Sequence, residues 1–308
     1  MCIPMRLKSR ATVVISILAL VAALALVTPQ SRFAILIAIG RNYCPVDSVW
    51  SVSAAKAARV ERQKQLERSA RVVREDGANM LWEIEGQQFW MPAGSRVLPG
   101  MLAEQQSAVY DSAGQAIRPG DVVLDCGANV GLYTLDAVRR GASLVVAIEP
   151  ALDNVECLRR NLARYVAAGR VVIRPEGVWD KDDVLPLSVQ PSNTASYSVA
   201  LKHRGAKPGP NVQLTTIDEI VRDLKLERVD YIKMNIEGAE RAALVGATGT
   251  IRRFHPRLTI SMEYRYDDPR ALPKMVLSLW DGYRTGSGRC IEQSAGLRPA
   301  VMSFYAER

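Results

Sequence analysis

Short apolar runs alternate with helix-like segments along most of the chain. Val122–Leu124 and Leu144–Ile148 are runs of the kind that buried strands show, and Leu132–Arg140 between them is helix-like. A helical pattern follows over Asn154–Tyr165, and another apolar run spans Val229–Ile236. Strands that alternate with helices form mostly parallel sheets. The pattern therefore predicts an α/β fold with a mostly parallel sheet and an antiparallel edge formed by the last strands.

Ahead of this alternation lies a segment with a different pattern. Met80–Met91 alternates apolar and polar residues around a Glu-Gly pair, which is typical of a β-hairpin. Together with a helix predicted over Ala103–Tyr110, it would form a cap ahead of the main sheet. We therefore expect one folded domain at 77–308, with a cap at 77–118 and a core at 119–308.

The N-terminal region contains two apolar runs. Ala11–Val27 has seventeen residues without a charge and follows three basic residues. At ~1.5 Å per residue it would make a helix adequate for a thin bilayer. With the shorter run Phe33–Ile39 it predicts an N-terminal membrane helix, in an anchor at 1–45 that contacts the membrane through residues 11–39. A cleavable signal peptide is the alternative, although the end of the first run makes a poor cleavage site.

Residues 46–76 are predicted to form a basic helical stalk. Ala54–Asp76 is rich in helix-forming residues and is almost entirely polar. One interpretation is a solvated stalk between anchor and domain. The other is a basic helix that lies on anionic lipid headgroups.

The positive charge of the chain is concentrated at its N-terminal end. The formal net charge is +8, and residues 1–76 carry +7 of it, with twelve Lys or Arg against five Asp or Glu. Residues 77–308 therefore carry only +1. Because a nucleic-acid groove needs a basic surface on the folded domain, we expect no nucleic-acid partner.

The chain has too few cysteines and histidines, too widely spaced, for a disulfide framework or a zinc site. The five cysteines are widely spaced without a C-x-x-C pair, and the only histidines are His203 and His255. This spacing predicts neither a disulfide framework nor a zinc site, and no metal is expected.

A glycine-bearing loop, D-x-G-x-x-x-G over residues 125–131, follows the first predicted strand of the core. Gly127 would let the backbone approach a ligand, and Gly131 would let the next helix pack closely on the strand. Glu149 ends the second strand, 18 positions after Gly131, where its carboxylate could accept hydrogen bonds from two ribose hydroxyls. The loop is not the G-x-G-x-x-G that surrounds a pyrophosphate. S-adenosylmethionine, a ribose-bearing ligand without phosphates, therefore fits it; an ordinary turn that needs glycine for geometry alone is the alternative.

Polar residues mark the points where the predicted strands end. They are Asp125, Asn129, Glu149, Glu176, Asp180, Asn235, Glu237 and Glu263. The carboxyl ends of parallel strands meet at one edge of a sheet, and ligands bind there near the switch in strand order. A whole row of polar residues at that edge predicts a binding site.

Six segments in this order resemble the FkbM-type methyltransferase family. They are DVVLDCGANVGLYTL, IEPALDNVECLRRNL, NTAS, LTTID, VDYIKMNIEGAERAALVGA and ISME, and the resemblance covers roughly residues 100–265. It implies a class I, Rossmann-like methyltransferase fold and an O-methylation that uses S-adenosyl-L-methionine as cofactor. The acceptor would be a hydroxyl of a glycan, a lipid-linked sugar or a small molecule.

The resemblance, together with the row of polar residues at the strand ends, gives the candidate site residues. The cofactor-binding candidates are Asp125, Gly127, Asn129, Gly131 and Glu149, with Glu176 and Gly177 in the turn after the next strand. The fourth-strand signature corresponds to Lys233, Glu237, Gly238 and Glu240, where Lys233 and Glu240 could equally be a buried ion pair that shapes the turn. The catalytic candidates are Glu237 and Glu263 as general bases, together with Asn235, which stands where the family typically has Asp.

Two rival functions share parts of this pattern. A nicotinamide-dependent oxidoreductase would have the same opening unit but calls for a tighter glycine loop. A non-catalytic, membrane-tethered binding protein with a degenerate methyltransferase fold is favoured by the departure at Asn235.

The predicted cofactor bears on where the domain lies. The positive-inside rule keeps the N-terminus cytoplasmic and would send the rest of the chain across the membrane. A methyltransferase needs the cytosolic cofactor pool, so we expect a membrane-anchored chain with a cytoplasmic catalytic domain. The two apolar runs would then form a hairpin that returns the chain to the same side.

Overall fold

A computed structural model describes residues 14–19, 28–111, 115–294 and 296–306. The helices are α1 (Pro29–Ala38), α2 (Val46–Val49), α3 (Val52–Ser69), α4 (Leu98–Gln106), α5 (Leu132–Arg139), α6 (Leu152–Ala167), α7 (Ile217–Asp223), α8 (Glu240–Val245), α9 (Thr248–Phe254) and α10 (Asp268–Leu279). The strands are β1 (Arg71–Asp76), β2 (Asn79–Ile84), β3 (Gln87–Pro92), β4 (Val122–Cys126), β5 (Leu144–Ile148), β6 (Val171–Arg174), β7 (Gly177–Val178), β8 (Asp183–Val189), β9 (Lys207–Thr215), β10 (Tyr231–Met234), β11 (Arg257–Ser261), β12 (Arg284–Ser287), β13 (Cys290–Gln293), β14 (Gly296–Pro299) and β15 (Val301–Tyr305).

The centre of the fold is a seven-stranded sheet in the order β12-β15-β11-β10-β4-β5-β6. The five strands β6, β5, β4, β10 and β11 pair in parallel, whereas β15 is antiparallel to both β11 and β12. The predicted Rossmann-like fold with a mostly parallel sheet and an antiparallel edge is therefore confirmed. Strand order reverses between β4 and β10, so a crevice is expected where these two strands end.

Side chains alternate between the two faces of this sheet because successive residues of a strand point in opposite directions. On β4, Val123 packs in a core with α5 and α6, while Leu124 packs in the core on the opposite face. On β10, Tyr231 packs in the same core as Val123, and Ile232 packs in the same core as Leu124. Both faces are thus covered, which explains why the central strands appear in the sequence as continuous apolar runs.

The cap contains the predicted hairpin, formed by β2 and β3 and extended by β1. The helix predicted at Ala103–Tyr110 starts earlier, as α4 at Leu98, with Pro99 in its first turn. Proline is favoured there because the first turn leaves its N–H groups without helical partners.

Helix α3 shows that the stalk interpretation is wrong, because the helix packs against the domain. Leu66 is fully buried in the core beneath the cap, and Val52 is buried at the other end of the helix. Arg62 forms an ion pair of 2.6 Å with Glu85 of the cap hairpin. One apolar face is thus sufficient to attach a helix whose remaining surface is polar.

The prediction of a membrane-anchored chain is also contradicted. No helix within the described ranges is long and apolar enough to cross a membrane. The shorter apolar run lies in α1, where Phe33 is buried against Leu297 of β14. Of the longer run, Ala11–Val27, only residues 14–19 lie within the described part of the chain.

Two cysteines correct the expectation that no disulfide would form. Cys44 and Cys290 are joined by a disulfide across a sequence separation of 246 residues. This bond fastens the segment between α1 and α2 to the β13–β14 hairpin. Cys126 and Cys157 are free and buried.

Candidate active site

A cavity of about 230 Å³ opens at the carboxyl ends of β4, β5 and β10, close to the switch in strand order. Eight of the ten predicted site residues line it: Gly127, Asn129, Glu149, Glu176, Gly177, Asn235, Glu237 and Glu263. Asp125 and Gly131 lie behind its wall. The fold thus brings together residues spread over more than a hundred positions, as expected for the edge of a parallel sheet.

Asp125 supports the loop from within the core. It is fully buried, and its carboxylate accepts hydrogen bonds from Lys233 Nζ at 3.0 Å and from Thr134 Oγ1 at 2.6 Å. Lys233 Nζ also donates to the carbonyl oxygens of Cys126 at 3.3 Å and Gly127 at 2.9 Å. The buried ion pair beside the turn therefore joins Lys233 to Asp125, and the expected pairing of Lys233 with Glu240 is wrong, because Glu240 Oε1 accepts from Ile236 N at 2.9 Å instead. The Lys233 ammonium has no N–H left for a ligand.

Both loop glycines are required by close packing. Gly127 has a φ of +79°, and a Cβ there would lie 2.1 Å from the carbonyl oxygen of Asn235. Gly131 has a φ of +93°, and its Cβ would lie 2.6 Å from Leu158 Cδ1. The first glycine thus lets the β4 loop pass under the end of β10, and the second lets α5 begin against α6.

Glu149 is held in place at the end of β5 by three donors. Its Oε2 accepts a hydrogen bond from Asn129 N at 2.9 Å, and its Oε1 accepts from Ala151 N at 3.1 Å and from Asn154 Nδ2 at 3.2 Å. Burial raises the pKa of Glu149 to about 7, although these hydrogen bonds act in the opposite direction. The donors fix the orientation of the carboxylate, and a carboxylate oxygen can accept further bonds from a ligand.

Asn129 links the glycine loop to the segment around Thr194. Its φ is +51°, a left-handed conformation that asparagine tolerates better than most residues. Its Nδ2 donates to the carbonyl oxygen of Thr194 at 3.0 Å. Tyr197 lines the cavity from the same segment, and its hydroxyl lies 3.2 Å from Asp153.

Asn235 lies at the centre of a chain of polar contacts. Its Nδ2 donates to the hydroxyl oxygen of Tyr110 at 2.9 Å, and its Oδ1 contacts the hydroxyl of Tyr264. The Tyr264 hydroxyl also lies 2.6 Å from Glu237 Oε1. An aspartate could not donate to Tyr110, so this environment suits the amide.

Glu237 has neighbours at both of its carboxylate oxygens. Tyr264 lies beside Oε1, and His203 Nε2 is 3.2 Å from Oε2. The Glu237 carboxylate raises the pKa of His203. Sequence reasoning assigned no role to His203, Tyr110 or Tyr264. His203 and Tyr110 lie far from the motif in the sequence, and Tyr264 directly follows Glu263 but has no charge that would mark it as part of the polar row.

Glu263 and Glu104 share the far wall of the cavity. Glu263 Oε2 accepts a hydrogen bond from Gln293 Nε2 at 3.1 Å. Burial, followed by the charges of Glu104 and Glu237, raises the pKa of Glu263 to about 7. Burial also raises the pKa of Glu104, which the sequence did not single out. Glu263 is therefore a carboxyl group that can change protonation near neutral pH.

Glu176 and Gly177 lie on the wall beyond Glu149. Arg174 Nε donates to Glu176 Oε2 at 3.1 Å. A Cβ on Gly177 would lie 2.6 Å from Leu214 Cδ2, so a larger residue there would have to displace the Leu214 side chain. Their direct contact with a cofactor stays a prediction. Within the described residues, no group of His, Cys, Asp or Glu is arranged to hold a metal ion.

Part of this chain is similar in sequence to known proteins. The AMB antimetabolite synthetase AmbE of Pseudomonas aeruginosa is 30% identical over 200 residues, which cover 51% of this chain and 9% of that protein. The 31-O-demethyl-FK506 methyltransferase FkbM of Streptomyces tacrolimicus is 24% identical over 164 residues, which cover 44% of this chain and 63% of that protein. The match therefore spans less than two thirds of either relative.

A solved structure and a family model complete the comparison. The crystal structure of methyltransferase FkbM from Methylobacillus flagellatus KT is 19% identical with a TM-score of 0.48, and the match covers 84% of this chain and 60% of that one. The model of the methyltransferase FkbM domain matches residues 125–283, just over half of this chain. The protein therefore belongs to the FkbM-domain methyltransferase family.

Proposed function

We propose that the protein is an S-adenosylmethionine-dependent O-methyltransferase. The observation that carries this proposal is the charge of the cavity wall. Five of its residues are glutamates, at positions 104, 149, 176, 237 and 263, and Lys233 is the one lysine or arginine among the described residues that line it. Because Lys233 already donates to three oxygens, it has no N–H free for a phosphate. Such a wall favours a positively charged sulfonium over a pyrophosphate.

In this proposal Glu149 accepts hydrogen bonds from the ribose hydroxyls, and Gly127 and Asn129 shape the backbone beside them. The bound cofactor supplies a methyl group on a positively charged sulfur, which is a good leaving group. The protein then has to align a hydroxyl with that methyl group and accept its proton.

Glu263 is the proton acceptor that we favour. Glu237 is engaged by Tyr264 and His203 on its two oxygens, whereas Glu263 has one hydrogen bond, from Gln293. A general base works best with a pKa near the working pH, and burial raises the pKa of Glu263 to about 7. Glu237 and Asn235 would instead position the acceptor through Tyr264 and Tyr110.

Calorimetric titration of the full chain with S-adenosylmethionine and, separately, with NAD tests the choice of cofactor. We expect saturable binding of S-adenosylmethionine with a Kd in the micromolar range and no binding of NAD at millimolar concentration. Preferential binding of NAD would replace the proposal with an oxidoreductase function.

A further inference from the structure

A second cavity of about 170 Å³ adjoins the first. Glu104 and Glu263 line both, so the two spaces share a wall. The rest of the second cavity is formed by α3 and by residues 289–293, which include β13. Neither of these elements belongs to the motifs that define the cofactor loop.

Three cations line the second cavity, namely Lys56 and Arg59 of α3 and Arg289, which precedes β13. None of them forms an ion pair within 4.0 Å in the described part of the chain, although Glu104 and Glu263 lie on the same wall. Arg289 donates to Ser107 Oγ at 3.0 Å.

Arg59 and Arg289 line the same cavity and are close enough for their charges to interact. The charges of Glu104 and Glu263 also act on Arg289, but among the described residues no carboxylate lies within ion-pair distance of either arginine. Burial, and next the charge of Arg59, lower the pKa of Arg289. Glu292, the other carboxylate on this wall, is already paired with Arg32 at 2.6 Å. Two neighbouring, partly buried guanidinium groups are best satisfied by an oxyanion that accepts hydrogen bonds from both.

We propose that the methyl acceptor is a hydroxyl compound that carries an oxyanion, either a carboxylate or a phosphate, and that Arg59 and Arg289 bind this oxyanion in the second cavity. The inference rests on the proposed function and names the substrate class of that site. The shared wall places Glu263 between the oxyanion and the cofactor cavity. The acceptor oxygen forms a bond to the methyl carbon as the carbon–sulfur bond breaks, the bonding pair stays on sulfur, and the hydroxyl proton moves to Glu263.

The structure also shows how the two arginines are kept together. Arg59 and Arg289 are 230 positions apart in the sequence, on elements that do not follow one another. The Cys44–Cys290 disulfide and the Arg32–Glu292 ion pair attach the N-terminal segment to β13. Helix α3 thereby becomes part of the acceptor site.

Anion binding to the full chain tests this inference, with inorganic phosphate and acetate as probes in low-chloride buffer. By calorimetry we expect at least one of them to bind saturably, and the better probe identifies the oxyanion class. Arg59→Gln and Arg289→Gln should each weaken that binding by about tenfold or more, since each removes charge-assisted hydrogen bonds. Lys64→Gln, at an exposed position of α3 outside the cavity, should leave it unchanged.

Two further measurements keep the result interpretable. Arg289→Lys keeps the charge but loses the bidentate geometry of the guanidinium, so it should give an intermediate loss of anion affinity. Thermal melting checks that each variant is folded. S-adenosylmethionine should bind all four variants with the affinity of the wild type. Failure of the wild type to bind S-adenosylmethionine would overturn the proposed function, and with it the assignment of a bound anion to a methyl acceptor. The absence of saturable anion binding, or equal binding in Arg59→Gln and Arg289→Gln, would overturn the acceptor inference.

Discussion

The two ends of the site are built in different ways. At the proposed cofactor end, Gly127, Asn129 and Glu149 lie within 23 consecutive residues of one β–α–β unit. At the proposed acceptor end, Arg59, Glu263 and Arg289 come from elements at opposite ends of the chain. The first end is therefore specified by local geometry, and the second depends on long-range contacts between the N-terminal segment and the β13–β14 hairpin. This difference predicts that the two ends will respond differently to mutation.

The largest effect is expected at the cofactor end, from Gly127→Ala. The new Cβ would lie 2.1 Å from a backbone oxygen, in a residue with positive φ. Overpacking and backbone strain together should lower the free energy of unfolding by about 3–5 kcal/mol, measured by urea titration. Gly86→Ala is the matched control, since it also has positive φ but has no atom within 4 Å of the new Cβ. It should cost only about 1–2 kcal/mol, and equal losses would mean that the loop does not pass against β10.

The disulfide should give the next largest effect on stability, and its effect on ligand binding should be confined to the acceptor end. Replacing Cys44 and Cys290 by Ser opens a loop of 246 residues and should lower the free energy of unfolding by about 2–5 kcal/mol. Anion binding should weaken while affinity for S-adenosylmethionine stays within about twofold of the wild type. Dithiothreitol should reproduce the change in the wild type and have no effect on the double variant. Equal loss of both ligands would contradict the division into two ends.

A pH effect should appear at both ends, and the contribution of each carboxyl group should be of intermediate size. Burial raises the pKa of Glu149 to about 7, of Glu240 to about 8 and of Glu263 to about 7. Between the unfolded and folded pKa values the folded state binds more protons, so the free energy of unfolding should fall as pH rises from about 5 to about 8.

Glu263→Gln isolates the acceptor-end contribution to this dependence. Removing one titrating group should flatten the decline by about 2–3 kcal/mol, measured by urea titrations at the two pH values. A wild-type stability that rises over this pH interval would show that these carboxyls are not buried.

The smallest effect is expected from the surface contacts of α3. The side chains of Arg62 and Glu85 are 33% and 38% exposed. Arg62→Ala should therefore cost about 0–1 kcal/mol in urea titration, and Lys64→Ala, without a comparable partner, should cost less. A loss above about 2 kcal/mol for Arg62→Ala would mean that this ion pair, rather than the buried Leu66, attaches the helix.

The sequence predicts the strands and the glycine loop of the β4–α5–β5 unit well because their signals are local. The apolar runs of β4, β5 and β10 and the glycine loop all fall where the pattern places them. Asp125 and Gly131 support the loop from behind the cavity wall. The spacing of the motif does not show which of its residues line the cavity and which lie behind it. His203 and Tyr264 are identified as site residues only by the structure, which places both beside Glu237.

The N-terminal segment could not be predicted in the same way. An apolar run such as Phe33–Ile39 suits a bilayer and a protein surface equally, and only the position of Leu297 in the fold shows which one covers Phe33. Pairing of Cys44 with Cys290 likewise depends on the position of β13. Charged residues along α3 gave no sign that Arg59 faces a cavity.

The affinity of Glu149→Ala for S-adenosylmethionine tests the central claim most directly. Calorimetry should show a Kd raised by about tenfold or more, because the ribose hydroxyls lose a charged acceptor. Glu156→Ala, a surface carboxyl of α6 whose side chain is 43% exposed, should bind like the wild type. Equal affinities in all three proteins would contradict the assignment of Glu149 to the ribose.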